Sequence, residues 1–211
     1  MTTIESEPAL DTFVDDTLAA AVELFEVVRR TGVLSPTATI QINERVPGEP
    51  KLVGINHPNP WSSRTPRASA SVFGFDGTSY SGDPRAARGA RRFAAIFEQH
   101  PDVTTVIHIH TPYLGAWAQA HRALPVRLRS LREATPVEEL PVYIDRRQAE
   151  VDFILEELAR DARIPAIVEA NGGATVWGRA GLVDTGHFIV TLELAARAQA
   201  LAARLADHTG R

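Results

Sequence analysis

The 211-residue sequence contains no cysteine. That absence excludes disulfides, thiolate metal sites and cysteine nucleophiles together. There is one lysine, Lys51, and every other basic side chain is an arginine. Schiff-base chemistry needs an amine that can lose its proton, whereas a guanidinium stays charged, so such chemistry would rest on Lys51 alone. A compositional preference for arginine accounts for the bias without functional meaning. No apolar run approaches the roughly 18 residues needed to cross a bilayer. Residues 1–10 include Glu5 and Glu7 and have neither the basic start nor the apolar stretch of a secretory signal, so a cytoplasmic location is expected. Basic excess is absent too: the formal net charge is −4 and the sequence pI about 6.0. Neither nucleic acid nor membrane is therefore expected as a partner.

What is present is ordinary for a globular chain, with 44% hydrophobic and 23% charged residues, enough to bury one sizeable core. Residues 1–10 read as a tail and 11–211 as a single domain. Apolar spacing predicts a helix over Asp11–Arg30, and alternation predicts strands over Thr37–Asn43, Lys51–Asn56 and Ser69–Phe75. The last of these closes at the hairpin signal Asp76-Gly77. The Pro-, Asn- and Ser-rich stretch His57–Pro66 reads as a loop. Further on come a helix over Arg85–Gln99, a strand over Thr105–His110, and a helix over Pro112–His121 with Thr111 as its N-cap. A strand is expected over Val126–Leu131, a loop over Pro136–Pro141 and a helix over Arg147–Ala162. Strands Ala166–Ala170 and Ala174–Trp177 bracket an Asn171-Gly172-Gly173 turn, and a helix over Asp184–Ala206 ends the chain. Helices mixed with hairpin-linked strands suggest an α/β protein with a mixed sheet.

The run Val106-Ile107-His108-Ile109-His110 carries the most chemical information. Strand side chains alternate between faces, so His108 and His110 share one face while Ile107 and Ile109 pack into the other. Two imidazoles spaced i, i+2 can converge on one cation, at about 2.0–2.1 Å for zinc–nitrogen bonds. A pair of satisfied surface or interface histidines is the alternative. Arg127 and Arg129, flanked by Arg122 and Arg132, form either a carboxylate clamp or plain ion pairs with Glu138 and Glu139. His100 and His121 fit as helix-end residues.

The segment Pro101-Asp102-Val103-Thr104-Thr105-Val106-Ile107-His108-Ile109-His110-Thr111-Pro112 resembles the Pro-Asp-x-x-x-Val-x-His-x-His-[Ser/Thr]-Pro signature of the class II aldolase/adducin family. Asn171-Gly172-Gly173 through Gly178 resembles that family's Asn-His-Gly-x-x-x-x-Gly segment. Leu192-Glu193 to Gln199 resembles its closing Leu-Glu-x-x-Ala helix. The resemblance runs over roughly residues 11–205. It implies a three-layer α/β/α fold around a central mixed, largely antiparallel sheet, a homotetramer with sites at subunit interfaces, and a divalent ion. Zinc is the first choice, with iron or manganese as alternatives, held by the paired histidines and a third from the Asn-His-Gly segment. A glutamate ahead of the strand would be the acid/base.

The sequence departs from this pattern. The third histidine position is Gly172, the glutamate position falls on Gly89, and the family's Asn-x-Ser substrate motif becomes Thr39-Ile40-Gln41. No phosphate loop is recognisable in Asn56–Trp61. Substitutes for the missing ligand are His57, Glu169 and His187. Thr39, Gln41, Asn171 and Gly173 are expected to line the substrate. Two readings follow. One is a metal-dependent lyase, of aldolase or decarboxylase type, on a small non-phosphorylated carbonyl or carboxylate compound. The other is a metal-free, adducin-like binding or assembly protein.

Overall fold

The computed structural model describes residues 8–36, 40–56, 68–83, 91–145, 147–170 and 172–208. His57, Thr39, Asn171 and Gly89 lie outside these, as does the expected loop after Asn56. The chain opens with helix α1 (Pro8–Arg30), which starts three residues before Asp11. Strands β1 (Ile40–Arg45), β2 (Lys51–Asn56), β3 (Ser69–Gly74) and β4 (Ser79–Ser81) follow as an antiparallel meander. Then come α2 (Ala94–Gln99), β5 (Thr105–His110), α3 (Pro112–Gln119), β6 (Leu124–Pro125) and α4 (Arg129–Ala134). The chain continues through β7 (Glu139–Leu140), β8 (Val142–Tyr143), α5 (Glu150–Arg160), β9 (Ala166–Glu169), β10 (Gly173–Gly178) and α6 (Leu182–His208).

Among the described residues the main sheet has eight strands in the order β4-β3-β2-β1-β5-β10-β9-β8. All its pairs are antiparallel except β8 with β9, so the sheet is mixed and largely antiparallel as expected. Helices cover both faces. On one side α6 reaches β10 at Gly178, where a Cβ would collide with Thr185, and α1 packs against α6 with Leu24 filling the space over Gly186. On the other side lie α2 and α5. Their attachment is polar as well as apolar: Arg45 donates to the carbonyls of Phe97, His100 and Val103 at the end of α2. The core runs through both layers. Ile40, Ile42, Ile107 and Ile109 are fully or almost fully buried against the α6 side, and Phe93 and Phe97 are fully buried on α2's side.

Two expectations are corrected. Val126–Leu131 is not a strand. Only Leu124–Pro125 pairs, with Glu139–Leu140 inside the expected loop, and the chain then turns into α4. Leu128 and Leu131 satisfy a helical i, i+3 spacing as well as any alternation, and the buried Leu131 anchors α4 by that spacing. The arginine clamp falls with the strand. Arg129 pairs instead with Glu133 one helical turn on, at 2.8 Å and in full solvent, and Arg122 lies over the Trp117 ring. The helix expected over Arg85–Gln99 is described from residue 91 onward, with α2 itself at Ala94–Gln99.

Candidate metal centre

β5 occupies the middle of the sheet, flanked by β1 and β10, and its register fixes which side chains meet. Residues directly opposite in an antiparallel pair share a face. His108 lies between Gln41 on β1 and Thr175 on β10, and all three therefore form one row. His110 lies opposite Gly173, which in turn lies opposite Glu169 on β9. The two histidine rings sit on the same face with centroids 5.1 Å apart.

Glu169 belongs to a strand two positions from β5, about 10 Å away at ordinary strand spacing. Gly173 lies between Glu169 and His110, and with no side chain there the Glu169 carboxylate can reach diagonally to His108. The approach is tight there: a Cβ on Gly173 would collide with the carbonyl of Ile109. Gly172 adopts a left-handed φ of 119°, and a Cβ on it would stand 3.7 Å from His110 Nδ1. A side chain at position 172 would thus project at His110, and glycine leaves that space open.

Two carboxylates approach His108 from elsewhere in the fold. His108 Nδ1 lies 3.0 Å from Glu169 Oε1 and 2.9 Å from Thr175 Oγ1. Thr175 Oγ1 lies 2.5 Å from Glu169 Oε1 and 2.7 Å from Glu150 Oε1, the latter delivered by the first residue of α5. Glu150 Oε1 is 3.8 Å from His108 Nδ1. His108, Glu150 and Glu169 each offer a ligand atom within 4.8 Å of the others. All three are buried, Glu169 completely. Arg92 closes the array with Nη1 3.3 Å from Glu150 Oε2.

Electrostatics distinguishes the two carboxyls. Burial, and then the charge of Glu169, push the Glu150 carboxyl above its ordinary range. Burial also works against ionised Glu169, but the hydrogen bond and charge of His108, with Thr175 and Arg92, outweigh it and hold that carboxyl low. His110 is held below the usual imidazole range by burial and then by His108. A carboxylate held low beside two imidazoles is a donor set for a divalent cation.

One atom bears directly on whether the residues fit an ion. Glu169 Oε2 is buried and has no hydrogen-bond partner. An orphaned carboxylate oxygen is costly in a low-dielectric interior, and a cation placed beside it would satisfy it. The donor set fits such a group.

Of the residues picked out from the sequence, the structure brings together His108, His110 and Glu169, with Gln41 and Gly173 beside them. His187 is not brought to the cluster: it is exposed on α6, on the opposite side of the sheet. Glu150 escaped sequence reading, since a glutamate opening an amphipathic helix looks like ordinary dipole compensation. Thr175 escaped it for the same kind of reason, as a routine strand residue.

A family model described as the class II aldolase and adducin N-terminal domain matches residues 41–200. The chain belongs to that family. Among curated proteins no sequence matches. Solved structures do. An L-fuculose 1-phosphate aldolase superposes with a TM-score of 0.72 at 14% identity, covering 90% of this chain and 87% of the other. The L-fuculose 1-phosphate aldolase of Glaciozyma antarctica PI12 gives 0.69 at 17% identity, covering 97% and 79%. YgbL of Escherichia coli gives 0.65 at 19% identity, covering 88% and 87%. At these identities the likeness speaks to the fold.

Proposed function

We propose that this class II aldolase family member is a divergent metal-dependent carbon–carbon lyase, of aldolase or decarboxylase type, acting on a small non-phosphorylated carbonyl or carboxylate compound. Its divalent ion, zinc first and iron or manganese next, would be held by His108, Glu150 and Glu169 with His110 alongside. The observation that carries the reading is the buried, unpartnered Glu169 Oε2 within a histidine–glutamate–glutamate cluster built around the strand bearing the family's paired histidines. The ion's contribution is Lewis-acid stabilisation of the charge that develops on a carbonyl oxygen as the adjacent carbon–carbon bond breaks. The chain's own residues supply the rest. Glu169 and Thr175 fix the orientation of the His108 ring through Nδ1. Glu150, at the start of α5, brings the second carboxylate to the ion. Gln41 and Gly173 border the substrate space, and a cytoplasmic homotetramer is the proposed working form.

Schiff-base chemistry has no support. Lys51 is paired with Glu49 at 2.5 Å and lies over the Tyr80 ring. It stands at the end of β2 remote from the His108 row, five residues from Asn56, which is about 17 Å of strand.

One observation favours a metal-free binding or assembly protein instead: His108 Nδ1 already has partners in Glu169 and Thr175, so the site holds together on its own. Elemental mass spectrometry on untagged protein, before and after incubation with zinc, iron or manganese, separates the readings. The lyase reading expects one ion per chain, lost on Glu169→Gln. No stoichiometric metal under any loading condition would leave the assembly reading.

A further inference from the structure

Arg92 is the described cation closest to the cluster, and its geometry does not suit a purely structural clamp. Its guanidinium lies over the ring of Phe93, 4.5 Å from the centroid, and Phe93 is itself fully buried with its ring 6.4 Å from that of His108. That stacking fixes the plane of the guanidinium beside the site. One nitrogen, Nη1, faces Glu150 at 3.3 Å. No hydrogen bond joins the two side chains, and among the described residues the guanidinium has no other ion-pair partner. A residue serving only to hold Glu150 would present its two-pronged edge to the carboxylate. Here the Nε–Nη2 edge has no partner among the described residues, on a side chain still 41% exposed.

The placement of Glu150 indicates what that edge faces. Glu150 spans the two partners: Oε1 is within the ligand cluster and Oε2 faces Arg92. A ligand bound beside Glu150 at the ion therefore has the guanidinium within reach of a group one or two bonds further along.

Resting on the lyase reading above, we propose that Arg92 is the substrate-anchoring residue of this site and that it selects 2-oxo carboxylates. The carbonyl and one carboxylate oxygen face the ion, and the carboxylate also takes the free edge of Arg92. Neutral hydroxycarbonyl compounds lack the group that Arg92 recognises.

Calorimetric titration of pyruvate and of hydroxyacetone, which replaces the carboxylate by a hydroxymethyl group, tests this. Each is titrated into manganese-loaded and chelator-stripped protein, as wild type, Arg92→Gln and Arg92→Lys. The expected result is a loss of at least tenfold in pyruvate affinity in Arg92→Gln. A smaller loss is expected in Arg92→Lys, which keeps the charge without the fork. Hydroxyacetone and manganese affinities should stay within about threefold. If pyruvate binding is unchanged in Arg92→Gln, or both ligands weaken equally, the anchor is overturned and Arg92 only supports Glu150. If wild type binds manganese but not pyruvate, the anchor fails while the metal reading stands. If wild type binds no manganese, the metal reading fails, and an Arg92-dependent preference for pyruvate in the stripped protein still upholds the anchor.

Discussion

Glu44 lies on the face of β1 turned away from the histidines, with Oε2 accepting a hydrogen bond of 2.5 Å from Thr105 on β5. A further bond comes from the backbone of Leu182 at the start of α6. Burial nevertheless dominates and raises its carboxyl from 4.5 to about 7. The folded chain therefore binds this proton more readily than the unfolded chain does. Stability should fall as pH rises from about 4.5 to about 7 and level off above it, by on the order of 3 kcal/mol from this group. Glu44→Gln should flatten that slope, which urea denaturation at a series of pH values would read out. A wild-type slope retained in Glu44→Gln would remove Glu44 as its source. Asn43 offers a second test: it is fully buried and neither side-chain polar atom has a partner. Asn43→Val should raise stability by about 1 kcal/mol, because it removes two unsatisfied groups at little cost in shape. An equal or lower urea midpoint would count against that account. At this scale the sequence was legible where period decides and opaque where pairing decides. His108 and His110 follow from strand alternation alone. Glu169 acquires meaning only once β9 is placed two strands from β5 with a glycine between, and Glu150 only once α5 is docked on that face.

Among the elements, α3 shows how a motif residue can matter without touching the site. Thr111 is its N-cap, as the sequence indicated, but makes no side-chain capping bond. The cap comes from Glu193 on α6, which accepts from the backbone N–H groups of Tyr113 at 2.7 Å and Leu114 at 2.9 Å. The family's closing Leu-Glu-x-x-Ala pattern thus resolves, at Glu193, into a fastening between the last helix and the helix that follows the histidine strand. Glu193 is almost fully buried, so Glu193→Ala strands two backbone donors and should cost about 2–3 kcal/mol in urea denaturation. Glu193→Gln, which keeps one acceptor oxygen, should cost roughly half. Equal costs for the two would show that packing rather than capping is lost. Elements with a strong period were legible: α1, β2, β5 and α6 begin and end within three residues of the sequence reading. The segment Val126–Leu131 was not, since six residues fit two periods and only docking against α6 selects the helix.

At the scale of the whole molecule, an ion at His108, Glu150 and Glu169 would join three parts of the fold that are distant in sequence. β5 sits at the sheet centre, β9 near its edge, and α5 in the layer above. A ligand that binds only the folded state stabilises it by mass action, by about 2.7 kcal/mol at a free concentration one hundred times its dissociation constant. For a chain of this size that is a rise in melting temperature of roughly 5–10 °C. The rise should grow with the logarithm of ion concentration. It should also weaken at acidic pH, because protons compete for the same imidazole and carboxylate atoms. Glu169→Gln is the informative variant. It keeps the shape and a hydrogen-bonding oxygen beside Thr175 but gives up the charge and the unpartnered oxygen that the cation would satisfy. A carboxyl held low by its neighbours contributes stability at neutral pH, so the metal-free variant should melt at or below the wild-type temperature and gain almost nothing on adding zinc or manganese. A wild type whose melting temperature is unmoved by either ion, or a Glu169→Gln variant that responds as strongly as wild type, would show that the cluster is an internal hydrogen-bond network and not a metal centre.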